Sequence, residues 1–324
     1  MRLAEQIIVR ALDQDERAEV QTFLQDASHL RKTEPEIVDI IGELSCALPS
    51  RLVSDMRRFS AGGAGLVMKL KNIPQGGIGD LTTPETFGPS HYHPSEDHIL
   101  YLALMNSIGY PVGWSTQQGG RLLNDIMPMH HRADIANSSN GYVHDFSFHT
   151  EDAFHPKPPD FFSLYCVRRS TGPGLTLAAI DLDTIDEALI AELRRPAYQI
   201  RPNPSQAAWD GLFPMLAPIV TGPIERPTLR FNGGNATACG TDKEAALAVE
   251  QLDIHLNTNI VKLDIEPGDV TIVDNQRVTH GRDSYAPQFD GRDRWLLRLV
   301  TYESLRLVWS DYQTVANRVI SPRN

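Results

Sequence analysis

The stretch Phe146-Ser147-Phe148-His149-Thr150-Glu151-Asp152-Ala153-Phe154-His155 decides how the rest of the chain is interpreted. Side chains alternate between the two faces of a β-strand, so His149 and Glu151 point to the same face if this stretch is extended. An imidazole beside a carboxylate is two thirds of the facial triad, the site of two histidines and one carboxylate that holds non-haem Fe(II). The third ligand has to come from elsewhere in the chain, and His280 is the candidate.

This spacing is a weak signal on its own. With 11 histidines and 41 acidic residues among 324, roughly 1.4 His-x-acid spacings are expected by chance, and the chain has one, at His149. A structural histidine beside a surface glutamate is therefore the alternative, and other parts of the chain have to decide between the two.

Composition limits the classes of function. The chain is 41% hydrophobic and 22% charged, which is typical of a globular protein with an ample core. Its net charge of −11 lacks the basic footprint that phosphate binding needs, so no nucleic-acid partner is expected. No apolar run approaches the ~20 residues that span a bilayer, and no signal-peptide pattern begins the chain. Cys46, Cys166 and Cys239 are odd in number and widely spaced, as in reduced thiols, so we expect a soluble cytoplasmic protein without a membrane partner.

The first third of the chain has helical periodicity. Apolar residues recur at three- and four-residue spacing from about 14 to 60 and again from Glu96 to Ile108, and a short strand is expected over 65–70. We therefore predict a largely helical flank over residues 1–112, with a pair of packing helices in 14–60.

After Trp114 the pattern changes to short β-like runs bounded by Gly, Pro, Asn or Asp. Many short strands with turn signals favour a sandwich or barrel over a doubly wound parallel sheet. No Gly-x-Gly-x-x-Gly and no P-loop is present, so no dinucleotide or nucleoside triphosphate is expected. We predict a single domain with a β core over 113–304 and a lid-like irregular insertion near 202–241. The predicted strands are 121–126, 160–168, 174–180, 270–273 and 293–302.

A strand near the C-terminus carries two arginines on one face. In Arg294-Trp295-Leu296-Leu297-Arg298, alternation puts both guanidinium groups on the same side. If that side is interior, each needs an anion, because burying an unpaired charge costs several kcal/mol. Four residues separate the two by roughly 13 Å, so each arginine needs a carboxylate of its own. The alternative is an outward face with solvated arginines.

These segments together resemble the clavaminate synthase-like Fe(II)/2-oxoglutarate oxygenases, and among them the β-hydroxylases of free arginine or asparagine. The resemblance spans about 117–302 and is carried by His149-Thr150-Glu151, by Glu266-Pro267-Gly268-Asp269 with Asp274-Asn275 and His280, and by Asp293-Arg294-Trp295-Leu296 with Arg298. It implies a mainly β fold with flanking helices around a double-stranded β-helix, a cupin-like jelly-roll. It also implies Fe(II), 2-oxoglutarate and O₂ as cofactor and co-substrates, with a small amino acid as the partner.

The resemblance assigns roles to individual residues. His149, Glu151 and His280 are expected to bind iron. Arg294 and Thr176 are expected to contact the distal carboxylate of 2-oxoglutarate, and Arg298 the α-carboxylate of the substrate. The expected contacts of the amino-acid head group are Gln118, from an ungapped count, with Ser138, Ser139 and Glu151.

The side chain of the substrate is addressed by one departure from the family pattern. Arginine hydroxylases of this group resemble one another in carrying acidic residues near the positions that Asn232 and Gly234 occupy here. In this chain a cationic substrate side chain would find no carboxylate at those positions and would lose its charge-assisted hydrogen bond. We therefore expect hydroxylation at C3 of a free L-amino acid with a neutral polar side chain, such as citrulline, glutamine or asparagine. Asn232 is expected to hydrogen-bond that side chain, and the reaction to belong to natural-product or antibiotic biosynthesis.

Three alternatives stay open. A desaturase or cyclising oxygenase of the same family could act on arginine or a related amino acid. Two histidines, a glutamate and water also serve zinc hydrolases, although no His-Glu-x-x-His is present and Arg294 would then have no role. A jelly-roll binding protein without catalysis is the third. The oligomeric state, the stereochemistry and carrier attachment of the substrate are not addressed by the sequence.

Overall fold

A computed structural model describes residues 2–89, 92–169, 174–209, 216–309 and 318–321, which form a mainly β structure with helices on its outside. The helices are α1 (Gln14–Ser28), α2 (Glu34–Cys46), α3 (Ser50–Ser60), α4 (Glu96–Asn106), α5 (Glu187–Leu193) and α6 (Lys243–Thr258). The strands are β1 (Ile7–Ala11), β2 (Val67–Lys71), β3 (Tyr110–Trp114), β4 (Asn124–Ile126), β5 (Phe146–His149), β6 (Phe161–Arg168), β7 (Leu175–Ala179), β8 (Tyr198–Ile200), β9 (Val220–Thr221), β10 (Thr228–Leu229), β11 (Ala236–Ala238), β12 (Val261–Leu263), β13 (Val270–Asp274), β14 (Val278–Arg282), β15 (Trp295–Tyr302) and β16 (Val319–Ile320).

Two sheets enclose the core. The large sheet has the strand order β1-β2-β13-β6-β15-β3-β16, with β4 also paired to β15, and the small sheet has the order β12-β7-β14-β5. Apolar side chains of both sheets meet in one cluster, in which Phe162 and Leu164 of β6 join Leu177 of β7 and Val278 of β14. This arrangement is the jelly-roll that the sequence predicted.

Helices α1 to α4 pack against the large sheet. The N-terminus of α1 is stabilised by a capping box between Asp13 and Glu16, and that of α2 by one between Thr33 and Glu36. Their apolar stripes form one buried cluster with side chains of β2, β6, β13 and β15. The expected pair of helices over 14–60 is in fact three, because Pro49, the N-cap of α3, interrupts the helical run.

Strand β15 is buried on both of its faces. Trp295, Leu297 and Leu299 pack into the cluster that contains the helices. Arg294 and Arg298 lie on the other side and are only 5% and 9% exposed, so the alternative of solvated arginines is wrong.

Several elements lie outside the predicted pattern. The N-terminal flank also contributes strands, because β1 pairs in parallel with β2 at the edge of the large sheet. Helices α5 and α6 form a cluster with residues of the small sheet. The insertion predicted near 202–241 contains β9, β10 and β11, and its residues 210–215 lie outside the described part of the chain. Within the described ranges, no helix has the length and apolarity needed to cross a membrane.

A buried ion pair joins β2 to the turn before β13. Lys69 Nζ lies 2.8 Å from Asp269 Oδ2, and both side chains are buried. Asp269→Ala leaves Lys69 as an unpaired buried charge, so we expect it to lower the free energy of unfolding by about 3–5 kcal/mol in urea titrations. The exposed pair Lys262–Asp283 is the matched control, and Asp283→Ala should cost no more than about 1 kcal/mol. Equal losses for the two variants would contradict this expectation.

Candidate active site

His149, Glu151 and His280 converge at one point of the small sheet. One ligand atom of each lies within 4.8 Å of the others, and all three residues are buried. His280 Nε2 is 3.3 Å from Glu151 Oε1, and the centres of the two imidazole rings are 4.3 Å apart. Two imidazoles and a carboxylate at this spacing are the donor set of a facial triad, so these three side chains fit one Fe(II) ion.

Strand pairing brings the two histidines together. His149 ends β5 and is the direct cross-strand neighbour of His280 in β14. His149 Nδ1 donates to the Ser147 carbonyl at 2.8 Å, which leaves Nε2 for a metal. The ring of His280 stacks on Phe162 of the large sheet at 3.9 Å, and that of His149 stacks on Phe146 at 4.2 Å. Both rings are therefore oriented by the protein itself.

Asn275 fixes the main chain of Glu151. Its Oδ1 accepts from the Glu151 N–H at 2.7 Å, while its Nδ2 donates to the carbonyls of Glu151 at 3.1 Å and Pro159 at 2.8 Å. Glu151 lies beyond the end of β5 and therefore has no partner strand for its main-chain groups among the described residues. The buried side-chain amide of Asn275 supplies the hydrogen bonds that a neighbouring strand would otherwise supply. The sequence showed Asn275 as part of a motif, but its contact with Glu151 exists only in the folded chain.

The surroundings favour the protonation states that bind a metal. Burial, followed by the neighbouring His280, lowers the pKa of His149 to about 3. Burial opposes ionisation of Glu151, but the Arg298 guanidinium, followed by His280, brings the pKa of this carboxyl well below its ordinary value. At neutral pH His149 is neutral and Glu151 is ionised, as metal ligands must be.

A cavity beside the triad is lined in part by Arg294. Arg294 Nε and Nη1 have no hydrogen-bond partner among the described residues. Because an unpaired buried guanidinium is costly, this cavity suits a carboxylate next to the metal. Thr176 of β7 is buried and pairs with Gly281, which lines the cavity, and a Cβ at Gly281 would lie 3.1 Å from Thr176 Oγ1. Arg294 lines this cavity, whereas Thr176 is not among its lining residues, so the expected contact of Thr176 stays a prediction.

A second cavity lies against the triad and is lined in part by Arg298. Arg298 Nη1 lies 3.3 Å from Glu151 Oε2, and Nη2 donates to Asn124 Oδ1 at 2.6 Å and to Gln117 Oε1. These contacts orient the guanidinium and leave it N–H donors for a further carboxylate. The cavity is lined by Gln117, Asn137, Ser139, Phe146, His149, Thr150, Glu151, Asp152, Ala153, Phe154, Asn203, Ser205, Gln206, Asn232 and Arg298.

Gln117, one residue before the predicted head-group contact Gln118, lies against Arg298. Both amide atoms of Gln118 bond to the backbone of Asp125, at 2.9 and 3.0 Å, whereas Gln117 turns its oxygen toward Arg298. Gln118 has a φ of +46° and begins a run of left-handed residues, which breaks the alternation of side chains, and its contact with the head group stays a prediction.

The other expected contacts differ in their relation to the Arg298 cavity. Ser139 lines the Arg298 cavity, but Ser138 is buried and is not part of its wall. Asn232 lines the cavity, yet its Nδ2 donates to the Arg201 carbonyl at 3.0 Å and to Asn203 Oδ1 at 3.1 Å. Both N–H groups of Asn232 are thereby used within the protein, which leaves its Oδ1 for a substrate, and the expected contact of Asn232 stays a prediction. The sequence contained no signal for Asn203.

Known proteins share both the sequence and the fold. The profile of the family described as "Taurine catabolism dioxygenase TauD, TfdA family" matches residues 94–300. The L-asparagine oxygenase of Streptomyces coelicolor is 30% identical over 266 residues, which cover 80% of this chain and 78% of that protein. The enduracididine beta-hydroxylase of Streptomyces hygroscopicus is 27% identical over 241 residues, which cover 64% and 67%. The crystal structure of an asparagine oxygenase with Fe(II), 2S,3S-3-hydroxyasparagine and succinate has a TM-score of 0.89 and 26% identity, covering 97% of this chain and 99% of that one.

The two hydrogen bonds between the Asn275 side chain and the main chain of Glu151, here called the clasp, are expected to affect metal affinity. Asn275→Ala removes both hydrogen bonds to the main chain of Glu151, and we expect Fe(II) affinity, measured by anaerobic titration, to fall about 10- to 100-fold. Gln276→Ala is the matched control, because Gln276 Nε2 bonds to the carbonyls of Pro158 and Pro159 in the same loop and its side chain leaves Glu151 untouched. Equal affinities for the two variants, at similar thermal stability, would show that Asn275 supports the loop alone.

The fold, the metal-binding triad and the similar proteins all indicate the same family. The family profile covers most of the chain, and the three metal-binding side chains lie together where two facing sheets of a jelly-roll enclose them. The relatives with the same fold are amino-acid oxygenases and hydroxylases. The chain therefore belongs to the TauD/TfdA family and is an Fe(II)/2-oxoglutarate-dependent oxygenase of its amino-acid hydroxylase class.

Proposed function

We propose that this oxygenase hydroxylates C3 of a free L-amino acid whose side chain is polar and uncharged, such as asparagine, glutamine or citrulline. The observation that carries the proposal is the wall of the Arg298 cavity. Apart from the triad, Arg298 and Asp152, its polar side chains are amides and hydroxyls. Asp152 already accepts a hydrogen bond from Gln206 Nε2 at 3.1 Å, so a cationic side chain would find a single, shared carboxylate beyond the triad.

Each end of the reaction centre has a set of residues that would hold one reactant. His149, Glu151 and His280 would hold Fe(II), with Arg294 and Thr176 binding the distal carboxylate of 2-oxoglutarate. When bound, Fe(II) with 2-oxoglutarate and O₂ supplies the oxidant that replaces a C–H bond of the substrate by C–OH. The buried position of Arg294 and its unpaired N–H groups support this assignment.

Arg298 would bind the α-carboxylate of the substrate, with Gln117, Ser139 and Glu151 around the head group. Gln117 and Asn124 hold the guanidinium in place, so the α-carbon of a bound amino acid has a fixed position relative to the triad. Fixing one end of the substrate selects which C–H bond faces the metal. That the asparagine oxygenase structure contains a product hydroxylated at C3 supports C3 as the site.

Free thiols, the relatives and the buried arginine bear on the location of the protein, its metabolic role and the alternative functions. The described Cys46, Cys166 and Cys239 are free thiols, which supports a cytoplasmic protein. The enduracididine hydroxylase among the relatives supports a place in natural-product metabolism. A zinc hydrolase would leave the buried Arg294 without a partner, and a binding protein without catalysis would not need an intact triad.

Replacing Arg294 and replacing Arg298 should impair the binding of different reactants. We expect Arg294→Lys to weaken 2-oxoglutarate binding about 10- to 100-fold, because a lysine cannot form the bidentate pair with the distal carboxylate. Binding is read anaerobically from the visible charge-transfer band of the Fe(II)–2-oxoglutarate complex. Arg298→Lys is the matched variant and should raise the KM of the amino acid instead. These roles would be rejected if Arg294→Lys raised the KM of the amino acid and Arg298→Lys weakened 2-oxoglutarate binding. Tight zinc binding without a charge-transfer band would favour the hydrolase.

A substrate panel tests the uncharged side chain. We expect kcat/KM for the best of asparagine, glutamine and citrulline to exceed that for arginine, ornithine and lysine at least about tenfold, because the cations lack a free carboxylate pair in the cavity. Succinate release and the mass of the product give the rate and the hydroxylation. A clear preference for arginine would contradict the proposal, and a product two mass units lighter than the substrate would indicate a desaturase.

A further inference from the structure

Three asparagines, Asn203, Asn232 and Asn235, form a hydrogen-bonded chain of amides at the wall of the Arg298 cavity. Asn203 and Asn232 line the cavity, and Asn235 supports both of them. Asn203 and Gln206 come from the same short segment, and Gln206 also bonds to Asp152, so this segment lies directly against the residues that follow the metal ligand Glu151.

One backbone carbonyl fixes which way these amides point. Arg201 C=O can only accept, so the side-chain atom of Asn232 that faces it at 3.0 Å has to be the NH₂ group. The same NH₂ group then faces Asn203 at 3.1 Å, and this atom of Asn203 has to be the oxygen. Asn235 Nδ2 donates to that oxygen as well, at 2.9 Å. The oxygen of Asn203 is therefore used twice within the protein, and its NH₂ group has no hydrogen-bond partner in the part of the chain that the structure describes.

A neighbouring amide has the same polarity. Asn137 also lines the cavity, and its Oδ1 accepts from the Ser147 N–H at 3.4 Å, so its NH₂ group is directed elsewhere. A Cβ at Gly234, whose φ is +78°, would lie 3.1 Å from this Asn137 Nδ2. The backbone thus leaves the space beside Asn137 open, and the wall offers hydrogen-bond donors.

The geometry points to Asn203 as the residue that determines the side-chain specificity of the proposed hydroxylation, by donating from its Nδ2 to a carbonyl oxygen of the substrate. Asp152 lines the same cavity, and its carboxylate would supply the acceptor. A carboxamide or ureido group matches this pair because it has both a C=O and an N–H. A guanidinium or ammonium group has donors alone and would set N–H against N–H at Asn203, leaving the amide unsatisfied. This inference rests on the proposed function and names the residue that carries its selectivity.

Asn203→Asp tests the assignment with almost no change of shape. One carboxylate oxygen can still accept from Asn232 and Asn235, while the other replaces the NH₂ group and reverses the polarity of that wall. We expect kcat/KM for the neutral substrate to fall at least about tenfold and that for ornithine, lysine or arginine to rise, so that the ratio shifts about 100-fold or more. Asn203→Ala should lose the neutral preference without gaining the cationic one, and it keeps the test available if the aspartate variant does not fold.

Asn257→Asp is the matched control, since it makes the same substitution on the exposed surface of α6 and should leave the ratio unchanged. A folded Asn203→Asp and Asn203→Ala that keep the ratio of the natural chain to within about threefold would overturn the assignment. The two levels of inference fail separately. If the natural chain turns over no neutral amino acid, the proposed function is wrong, whereas if it does and these variants keep its selectivity, only the role of Asn203 is wrong.

Discussion

The register between β5 and β14 is the constraint on which the rest of the site depends. His149 and His280 are direct neighbours across these strands, so a slip of one residue would turn one imidazole to the opposite face. Close packing opposes such a slip, because a Cβ at Gly281 would lie 2.5 Å from the Phe146 carbonyl oxygen. On its other edge β14 is paired with β7 over four residues. The metal site is thus a consequence of how two neighbouring strands are aligned.

Burial of charge is the second constraint. Glu151 and Arg298 lie in the interior as a pair, and the pair is joined by Gln117, Asn124 and Asn275, which satisfy atoms that would otherwise be desolvated without a partner. No carboxylate pairs with Arg294 among the described residues, and its Nε and Nη1 have no hydrogen-bond partner there. A carboxylate bound there would remove an unpaired buried charge, so ligand binding at this position also stabilises the fold.

The sequence was sufficient where a regular period governs the side chains. The alternation along β15 placed Arg294 and Arg298 on one face, which is the interior face in the structure, and the family resemblance identified His149, Glu151 and His280 as the triad. It gave no signal for the contact of Gln117 with Arg298, because the left-handed residues that begin at Gln118 end the alternation. It also failed where a contact joins distant segments. The parallel pairing of β1 with β2, the clasp of Asn275 on Glu151 and the amide chain from Arg201 to Asn203 all depend on tertiary structure that no local pattern encodes.

The proposed site takes its residues from two parts of the fold, the strands of the jelly-roll and the insertion near 202–241. We infer that this arrangement lets one family act on different amino acids. Strands of the jelly-roll supply the metal ligands on β5 and β14 and the arginine that would hold the α-carboxylate on β15, and their geometry is tied to the core. The wall that would contact the substrate side chain comes from the insertion near 202–241, through Asn203, Ser205, Gln206 and Asn232. Asn232 is the bridge partner of His149, whereas Asn203, Ser205 and Gln206 lie outside the two main sheets. Substitutions at Asn203, Ser205 and Gln206 can therefore change which side chain is accepted without disturbing strand register, so substrate choice can diverge while the metal centre and the reaction stay the same.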